Sequence, residues 1–130
     1  MPSLFTRIVN GEIPCYKVAE DENYLAFLDI FPLAKGHTLV IPKKEVDYIF
    51  DLDNETYIGL MRFAKKVAKA IDKAVPSKRV GVAVVGLEVP HAHVHLVPLQ
   101  SVHDIDFSRP KLKLEKAEME SIAASIARFI

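Results

Sequence analysis

The 130-residue sequence contains a single cysteine, Cys15, so no internal disulfide can staple its fold. No stretch is apolar for long enough to span a bilayer, and the N-terminus lacks the basic segment and apolar run of a secretory signal. An excess of charge of one sign is also missing, because Lys and Arg together number 17, as do Asp and Glu. We therefore expect a cytoplasmic protein with no membrane partner and no nucleic-acid partner.

Repeats, low-complexity tracts and linkers are absent as well, so nothing in the sequence marks a boundary between domains. Half of the residues are apolar (50%) and about a quarter are charged (26%), which is typical of a globular chain rather than a disordered one. We predict that residues 1–130 form a single domain, which at this length buries a substantial core.

The most distinctive feature of the sequence is a short segment rich in histidine. Three of the five histidines occupy alternate positions of one short segment: His91, His93 and His95. Valines and flanking prolines favour a strand over a helix here. Because side chains alternate along a strand, the three imidazoles would share one face and the apolar residues between and after them would share the other: Ala92, Val94 and Leu96.

Three aligned imidazoles permit two kinds of chemistry. Two neighbouring rings could share a metal ion, but the outer pair would have Cα atoms ~13 Å apart in an extended strand, and Zn–N bonds are only ~2.0 Å long. Alternatively, one ring is a nucleophile and its neighbours set its tautomer and charge. A solvated or structurally buried side chain is the ordinary explanation for a single histidine. It is a poor explanation for three histidines within five residues.

The remaining patterns predict an α+β fold in which a five-stranded antiparallel sheet carries its helices to one side. Four strands precede the triad segment, at residues 15–20, 24–29, 37–41 and 79–85. Helical spacing and caps predict helices over 3–10, about 53–75 and about 115–128, with residues 100–113 as loop. The fourth strand is so uniformly apolar that we expect both of its faces to be covered.

The spacing His-apolar-His-apolar-His-apolar-apolar resembles the signature of the histidine triad (HIT) nucleotide hydrolases and transferases. Residues 4–14, 26–32 and 36–44 resemble three further landmarks of that family, in the right order, so the resemblance covers nearly the whole chain. It implies the HIT-like sheet with one long and one C-terminal helix, and a homodimer in which the sheets of two subunits are joined.

The resemblance implies hydrolysis at the α-phosphorus of a purine nucleoside phosphoramidate, with no cofactor and no catalytic metal. His93 would attack phosphorus to give a nucleotidyl-histidine, which water would then cleave. His95 would donate a hydrogen bond to a phosphoryl oxygen. His91 would support His93 and fix its tautomer, and His37 would lie behind the triad.

The resemblance also places the nucleotide. Asp29 would accept hydrogen bonds from the ribose hydroxyls, because a carboxylate can accept from both at once. The base would lie in an apolar slot that extends the core, lined by Leu4, Phe5, Ile8, Phe27 and Ile30.

Two departures from the family pattern qualify these expectations. Ser3 and Thr6 stand where relatives often carry Cys-x-x-Cys as half of a zinc site, so we expect that zinc to be absent. The link 86–90 is shorter than in many relatives and has Leu87 where glutamine is common. It also carries Glu88, which we expect to turn away from a phosphate that it would repel. Phosphate contacts from this link should therefore be weaker.

Several functions share these features. His95 weighs against the nucleotidyltransferase branch, which carries glutamine there. Dinucleoside polyphosphate hydrolases share all three histidines and are the alternative enzyme class, although the short chain favours the phosphoramidase-like branch. A nucleotide-binding regulatory protein with weak activity is a different class, motivated by the shortened link. A metalloprotein that uses two of the triad imidazoles is a third.

Overall fold

Five strands form one antiparallel sheet in the computed structural model, which describes all 130 residues. The strands are β1 (Lys17–Glu20), β2 (Tyr24–Leu28), β3 (Thr38–Pro42), β4 (Arg79–Ala83) and β5 (Val94–Leu99). They lie in the order β1-β2-β3-β5-β4. The α-helices are α1 (Leu4–Val9), α2 (Asn54–Ala74) and α3 (Lys116–Ala127). The predicted α+β architecture is therefore confirmed.

Local capping explains where the first two helices begin. The Ser3 hydroxyl accepts the backbone N–H of Thr6 at the start of α1, and the Asp53 carboxylate accepts that of Thr56 at the start of α2. Such side chains satisfy N–H groups that the first turn leaves without a helical partner. None of the helices combines the length and the apolar character needed to cross a bilayer.

The two faces of the sheet carry different cores. On one face, α2 and α3 pack over a large cluster that includes Val40, Val94 and Leu96. On the other face, Phe5 of α1 packs against a smaller cluster from the central strands: Leu25, Phe27, Leu39 and Ile41. The expectation that all helices lie to one side is therefore wrong for α1. Because the side chains of β2 and β3 alternate, these strands supply apolar side chains to both faces of the sheet. The face that carries α1 also carries the candidate site.

The fourth strand also differs from expectation. β4 ends at Ala83 and lies at the edge of the sheet, paired only with β5. Its apolar side chains are not covered on both faces within the chain, since Val82 is 54% exposed and Val84 and Val85 are exposed beyond it. An unbroken apolar run indicates surface that is to be buried, but it cannot tell whether this chain or another covers it.

Candidate active site

A cavity of about 460 Å³ opens on the α1 face of the sheet. Its volume lies in the range of small-molecule sites, and its walls are mostly apolar with a few convergent polar groups. Nine of the ten residues predicted for the site line this one cavity: Leu4, Phe5, Ile8, Phe27, Asp29, Ile30, His37, His93 and His95. The tenth, His91, is fully buried behind it.

The triad segment is only partly a strand. β5 begins one residue after His93, so His95 lies in the strand whereas His91 and His93 precede it. The reason is a contact with a distant segment, because the N–H of Ala92 donates to the carbonyl of Val46 at 2.7 Å instead of to a neighbouring strand. The prediction of one strand carrying all three rings is therefore wrong in its first half. The predicted opposite face is confirmed, since the large core contains Ala92, Val94 and Leu96.

One hydrogen bond fixes the tautomer of His93. Its Nδ1 lies 2.7 Å from the backbone carbonyl oxygen of His91. A carbonyl can only accept, so Nδ1 carries the proton and Nε2 of the neutral ring keeps its lone pair. Phe5 packs edge-on against the same ring, with centroids 5.0 Å apart. The partner on Nδ1 is thus the backbone of His91, not its imidazole.

A chain of three hydrogen-bonded groups fixes the tautomer of His95. The backbone N–H of Leu33 donates to Nδ1 of His37 at 3.0 Å, so the proton of the neutral His37 ring lies on Nε2. That Nε2–H faces Nδ1 of His95 at 3.0 Å and donates to it. The His95 proton must then lie on Nε2. The rings of His93 and His95 are neighbours, with centroids 4.9 Å apart, so the site pairs a lone pair with an N–H donor.

Burial keeps these two supporting rings neutral. Desolvation, with the nearby His95, Lys111 and His93 acting in the same direction, lowers the pKa of His37 to about 3. Desolvation and the neighbouring His93 lower the pKa of His95 to about 4. A buried imidazolium would lose its hydration, and the Asp29 carboxylate oxygen 3.6 Å from Nε2 of His37 makes no hydrogen bond that would compensate. The neutral tautomers assigned from the hydrogen bonds therefore persist at physiological pH.

The segment between β2 and β3 places Asp29 at the cavity. Its backbone N–H donates to the carbonyl of His37 at 3.0 Å, and Gly36 makes this turn with a φ of 96°, which favours glycine. The Asp29 carboxylate accepts the N–H of Phe31 at 2.9 Å. Burial raises the pKa of this carboxyl, although that N–H opposes the shift. Its other oxygen remains available to a ligand.

Aromatic and aliphatic side chains form the predicted slot beside these polar groups. Phe5 and Phe27 meet edge to face, with centroids 5.5 Å apart, and both are buried. Leu4 and Ile30 are 47% and 60% exposed at the mouth. Exposed apolar side chains around a partly buried aromatic floor suit a flat apolar group such as a nucleobase.

Among the cavity residues that were not predicted as ligand-facing, three bear on the chemistry. Phe107 lies in the segment assigned to loop, yet its ring packs edge-on against His95, with centroids 4.7 Å apart. Lys111 also lines the cavity and is held by the carbonyl oxygen of Phe107 at 2.6 Å. Glu88 lines the cavity too, and its negative charge contributes to the raised pKa of Asp29. The lone Phe of a polar loop could have pointed to Phe107, whereas Lys111 is one of three cations in that loop, with Arg109 and Lys113, and nothing in the pattern distinguishes it.

The position of the zinc site of relatives holds oxygen atoms here. The Ser3 hydroxyl lies 2.8 Å from Nδ1 of His91, and the Thr6 hydroxyl donates to Glu45 at 2.6 Å. Structural zinc takes thiolates, imidazoles and carboxylates, whereas neutral hydroxyl groups are poor ligands. Since these atoms already satisfy one another, the donor set does not fit that zinc.

A second group of potential ligand atoms lies nearer the cavity. Atoms of Asp29, His37 and His95 approach within 4.8 Å of one another. The two imidazole nitrogens concerned are already joined by the 3.0 Å hydrogen bond, and a metal ion would have to break it. The hydrogen bonds that run from Leu33 through His37 to His95 account for this cluster without a metal.

Comparison with known proteins agrees with this geometry. Residues 10–102 match the HIT domain. The chain is 33% identical to a Schizosaccharomyces pombe protein named adenosine 5'-monophosphoramidase, covering 100% of this chain and 99% of that protein. It is similar to a Hit-like protein of Bartonella henselae (TM-score 0.85, 31% identity, 98% and 96% of the two chains). It is also similar to a zinc-bound histidine triad family protein of Mycobacterium smegmatis (TM-score 0.80, 29% identity, 96% and 93%). The chain belongs to the histidine triad (HIT) family.

Proposed function

We propose that this protein hydrolyses purine nucleoside phosphoramidates, or related nucleotide conjugates, at the α-phosphorus through a nucleotidyl-His93 intermediate. The observation that carries the proposal is the pairing of a lone-pair nitrogen on His93 with an N–H donor on His95 in one cavity. Membership of the HIT family supports it, as does the S. pombe relative named as a phosphoramidase, which is a hydrolase.

The chemistry proceeds in two displacements. Nε2 of His93 forms a bond to phosphorus while the bond from phosphorus to the leaving amine breaks, and the amine takes up a proton from water. Water then attacks phosphorus and Nε2 leaves, the proton lost by the attacking water neutralises the hydroxide left by the first step, and the nucleoside monophosphate is released. Dividing one displacement into two is the usual advantage of covalent catalysis. The carbonyl of His91 accepts from Nδ1 throughout, so it stabilises the positive ring of the intermediate.

His95 supplies charge stabilisation. Its Nε2–H donates to a non-bridging phosphoryl oxygen, where negative charge builds as the nucleophile approaches. His37 makes this possible, because its own donation to Nδ1 of His95 excludes the tautomer that would present a lone pair to the phosphate. A lone pair in that position would repel the oxygen. We therefore assign His37 the role of orienting the donor.

Recognition of the nucleotide follows from the rest of the cavity. The ribose hydroxyls donate to the free oxygen of Asp29, and the base lies in the apolar slot that has Phe5 and Phe27 as its floor and Leu4 and Ile30 at its mouth. A homodimer belongs to the same proposal, because the exposed valines of β4 and of the segment after it form an apolar edge that a second copy would cover. Its supporting observation is the exposure of Val82 and Val85.

The test is steady-state hydrolysis of adenosine phosphoramidate and of a dinucleoside polyphosphate, each with and without a chelator. We expect the phosphoramidate to be the better substrate by about 10-fold or more in kcat/KM, which corresponds to ~1.4 kcal/mol of transition-state free energy. Turnover should survive the chelator, because the chain supplies the nucleophile and the donor. A preference for the dinucleoside polyphosphate would favour the alternative enzyme class.

A nucleotide-binding regulatory protein with weak activity is the second candidate. The observation in its favour is Glu88, whose negative charge stands at the cavity where a phosphate would be repelled. If neither substrate is turned over while the nucleoside monophosphate still binds, this candidate replaces the first.

A further inference from the structure

A hydrogen-bond network runs from the surface residue Glu45 to the triad. Glu45 follows β3, and its Oε1 accepts the backbone N–H of Ser3 and the hydroxyl of Thr6, both at 2.6 Å. These donors lie 42 and 39 positions away along the chain, in the cap and first turn of α1. The carboxylate therefore ties α1 to the segment that follows β3.

The protons of this network can be assigned one by one. The single hydroxyl proton of Thr6 goes to the carboxylate, which cannot donate because its hydrogen bonds with Thr6 and Ser3 lower the pKa of Glu45 to about 2. The carbonyl of Pro42 can only accept from Nε2 of His91, which leaves a lone pair on Nδ1. The Ser3 hydroxyl accepts the N–H of Thr6 at 3.0 Å and gives its one proton to that Nδ1 at 2.8 Å rather than to the Thr6 hydroxyl oxygen at 3.3 Å. The ring proton of His91 then lies on Nε2, which donates to the carbonyl of Pro42 at 2.8 Å.

This assignment connects the network to the nucleophile. The His91 ring is held at both nitrogens and is fully buried, so its backbone has little freedom to turn. The carbonyl of that same residue accepts the Nδ1–H of His93 at 2.7 Å. Phe5, on the helix that the network anchors, packs edge-on against both imidazoles with centroids 5.8 and 5.0 Å apart.

We propose that Glu45 is a positioning residue, which acts through the first turn of α1 and the ring of His91 to hold the tautomer of His93. This role rests on the proposed function, because only a nucleophilic His93 requires Nε2 to be free. The network needs a hydrogen-bond acceptor at position 45, since both of its partners there are donors. The acceptor matters more than the negative charge.

Kinetics of three variants test the role. Glu45→Ala should lower kcat for the phosphoramidate by about 10- to 100-fold with KM changed less than about threefold, as expected when a reacting group is slightly misplaced. Glu45→Gln keeps an acceptor oxygen and should recover kcat to within about threefold. Glu20→Ala is the matched control, because Glu20 is also a surface carboxylate whose pKa is lowered to about 2, but its partners are Lys17 and Lys43.

Long-range ¹H–¹⁵N NMR of the imidazole rings gives a readout that does not depend on activity. The wild-type protein should show the proton of His91 on Nε2 and that of His93 on Nδ1, and Glu45→Ala should show mixed tautomers. Thr6→Val, which removes one donor with little change in volume, should show the same mixture and replaces the alanine variant if that variant fails to fold.

The two readouts separate the possible failures. Unchanged kcat and unchanged tautomers in folded Glu45→Ala overturn the proposal, and equal losses in the Ala and Gln variants overturn its hydrogen-bond basis. A wild-type protein that shows the assigned tautomers but hydrolyses nothing overturns the proposed function, while mixed tautomers in its Glu45→Ala variant still support the network.

Discussion

Replacing His93 by alanine is expected to lower turnover of an adenosine phosphoramidate by at least about 10³-fold, as losses of a covalent nucleophile generally do. The structure gives the physical reason. Nε2 of His93 is the nitrogen with a free lone pair, whereas Nε2 of the neighbouring His95 carries a proton that is fixed by His37. His95 therefore cannot take over the attack. The measurement is kcat/KM under conditions in which nucleotide binding is monitored separately.

Two controls make this result specific. His103→Ala removes an exposed histidine outside the cavity and should leave turnover unchanged. His93→Gly opens space for free imidazole, which should restore part of the activity by attacking in place of the missing ring. A His93→Ala variant that binds nucleotide and retains more than about a tenth of wild-type kcat/KM, a loss of less than ~1.4 kcal/mol, would contradict nucleophilic catalysis by this residue.

Two buried histidines, His37 and His95, should lower the free energy of unfolding by up to about 4 kcal/mol between pH 7 and pH 5. Each proton taken up only by the unfolded chain contributes ~1.4 kcal/mol per pH unit. The pKa values of His37 and His95 are about 3 and about 4 in the folded protein, against an ordinary value of 6.5. A folded pKa below the unfolded one means that the unfolded chain binds protons first. The stabilisation is therefore complete above pH 6.5 and is lost as the pH falls below it.

The charged groups that face His37 and His95 do not reverse this loss of stability at low pH. Electrostatic repulsion from His95, Lys111 and His93 lowers the pKa of His37 and so acts in the same direction as burial. Asp29 lies 3.6 Å from Nε2 of His37, but burial raises the pKa of its carboxyl, so its effect weakens as the pH falls. Carboxylates with lowered pKa values, such as Glu20, lose their contribution only at pH values below this window.

Urea denaturation at a series of pH values measures this effect. The wild-type free energy of unfolding should decline with a slope of about two protons or more between pH 6 and pH 5, because burial also lowers the pKa of His91, and His37→Asn should remove about one of them. His103→Asn, which changes an exposed ring, is the matched control and should leave the slope unchanged. A free energy of unfolding that is constant from pH 7 to pH 5 would contradict the neutral, buried pair.

Local chemistry made part of the structure predictable. The start of α1 at Ser3 and of α2 after Asp53 follows from hydrogen bonds that reach only three residues along the chain. The nine cavity-lining residues were found through the family pattern, and the opposite face of the triad segment follows from strand alternation. In each case the contacts that determine the structure join residues close along the chain, or the residues belong to a known motif.

Contacts between distant segments explain what could not be predicted. β5 begins only after His93 because Ala92 bonds to Val46, which no periodicity reveals. The tautomer of His95 depends on His37, 58 positions away, and the pattern gives no information on which nitrogen faces which. Phe107 belongs to a segment without any period, so its place over the site depends entirely on how the chain folds back.

Trapping the covalent intermediate is the most direct test of nucleophilic catalysis by His93. Wild-type protein in excess would be mixed with an adenosine phosphoramidate, quenched in the millisecond-to-second range under conditions that preserve phosphorus–nitrogen bonds, and digested for mass spectrometry. We expect a transient nucleotidyl group on the peptide that contains the triad, located on His93, which forms and decays at rates compatible with kcat. Turnover with no such adduct, or with the adduct on another residue, would contradict it.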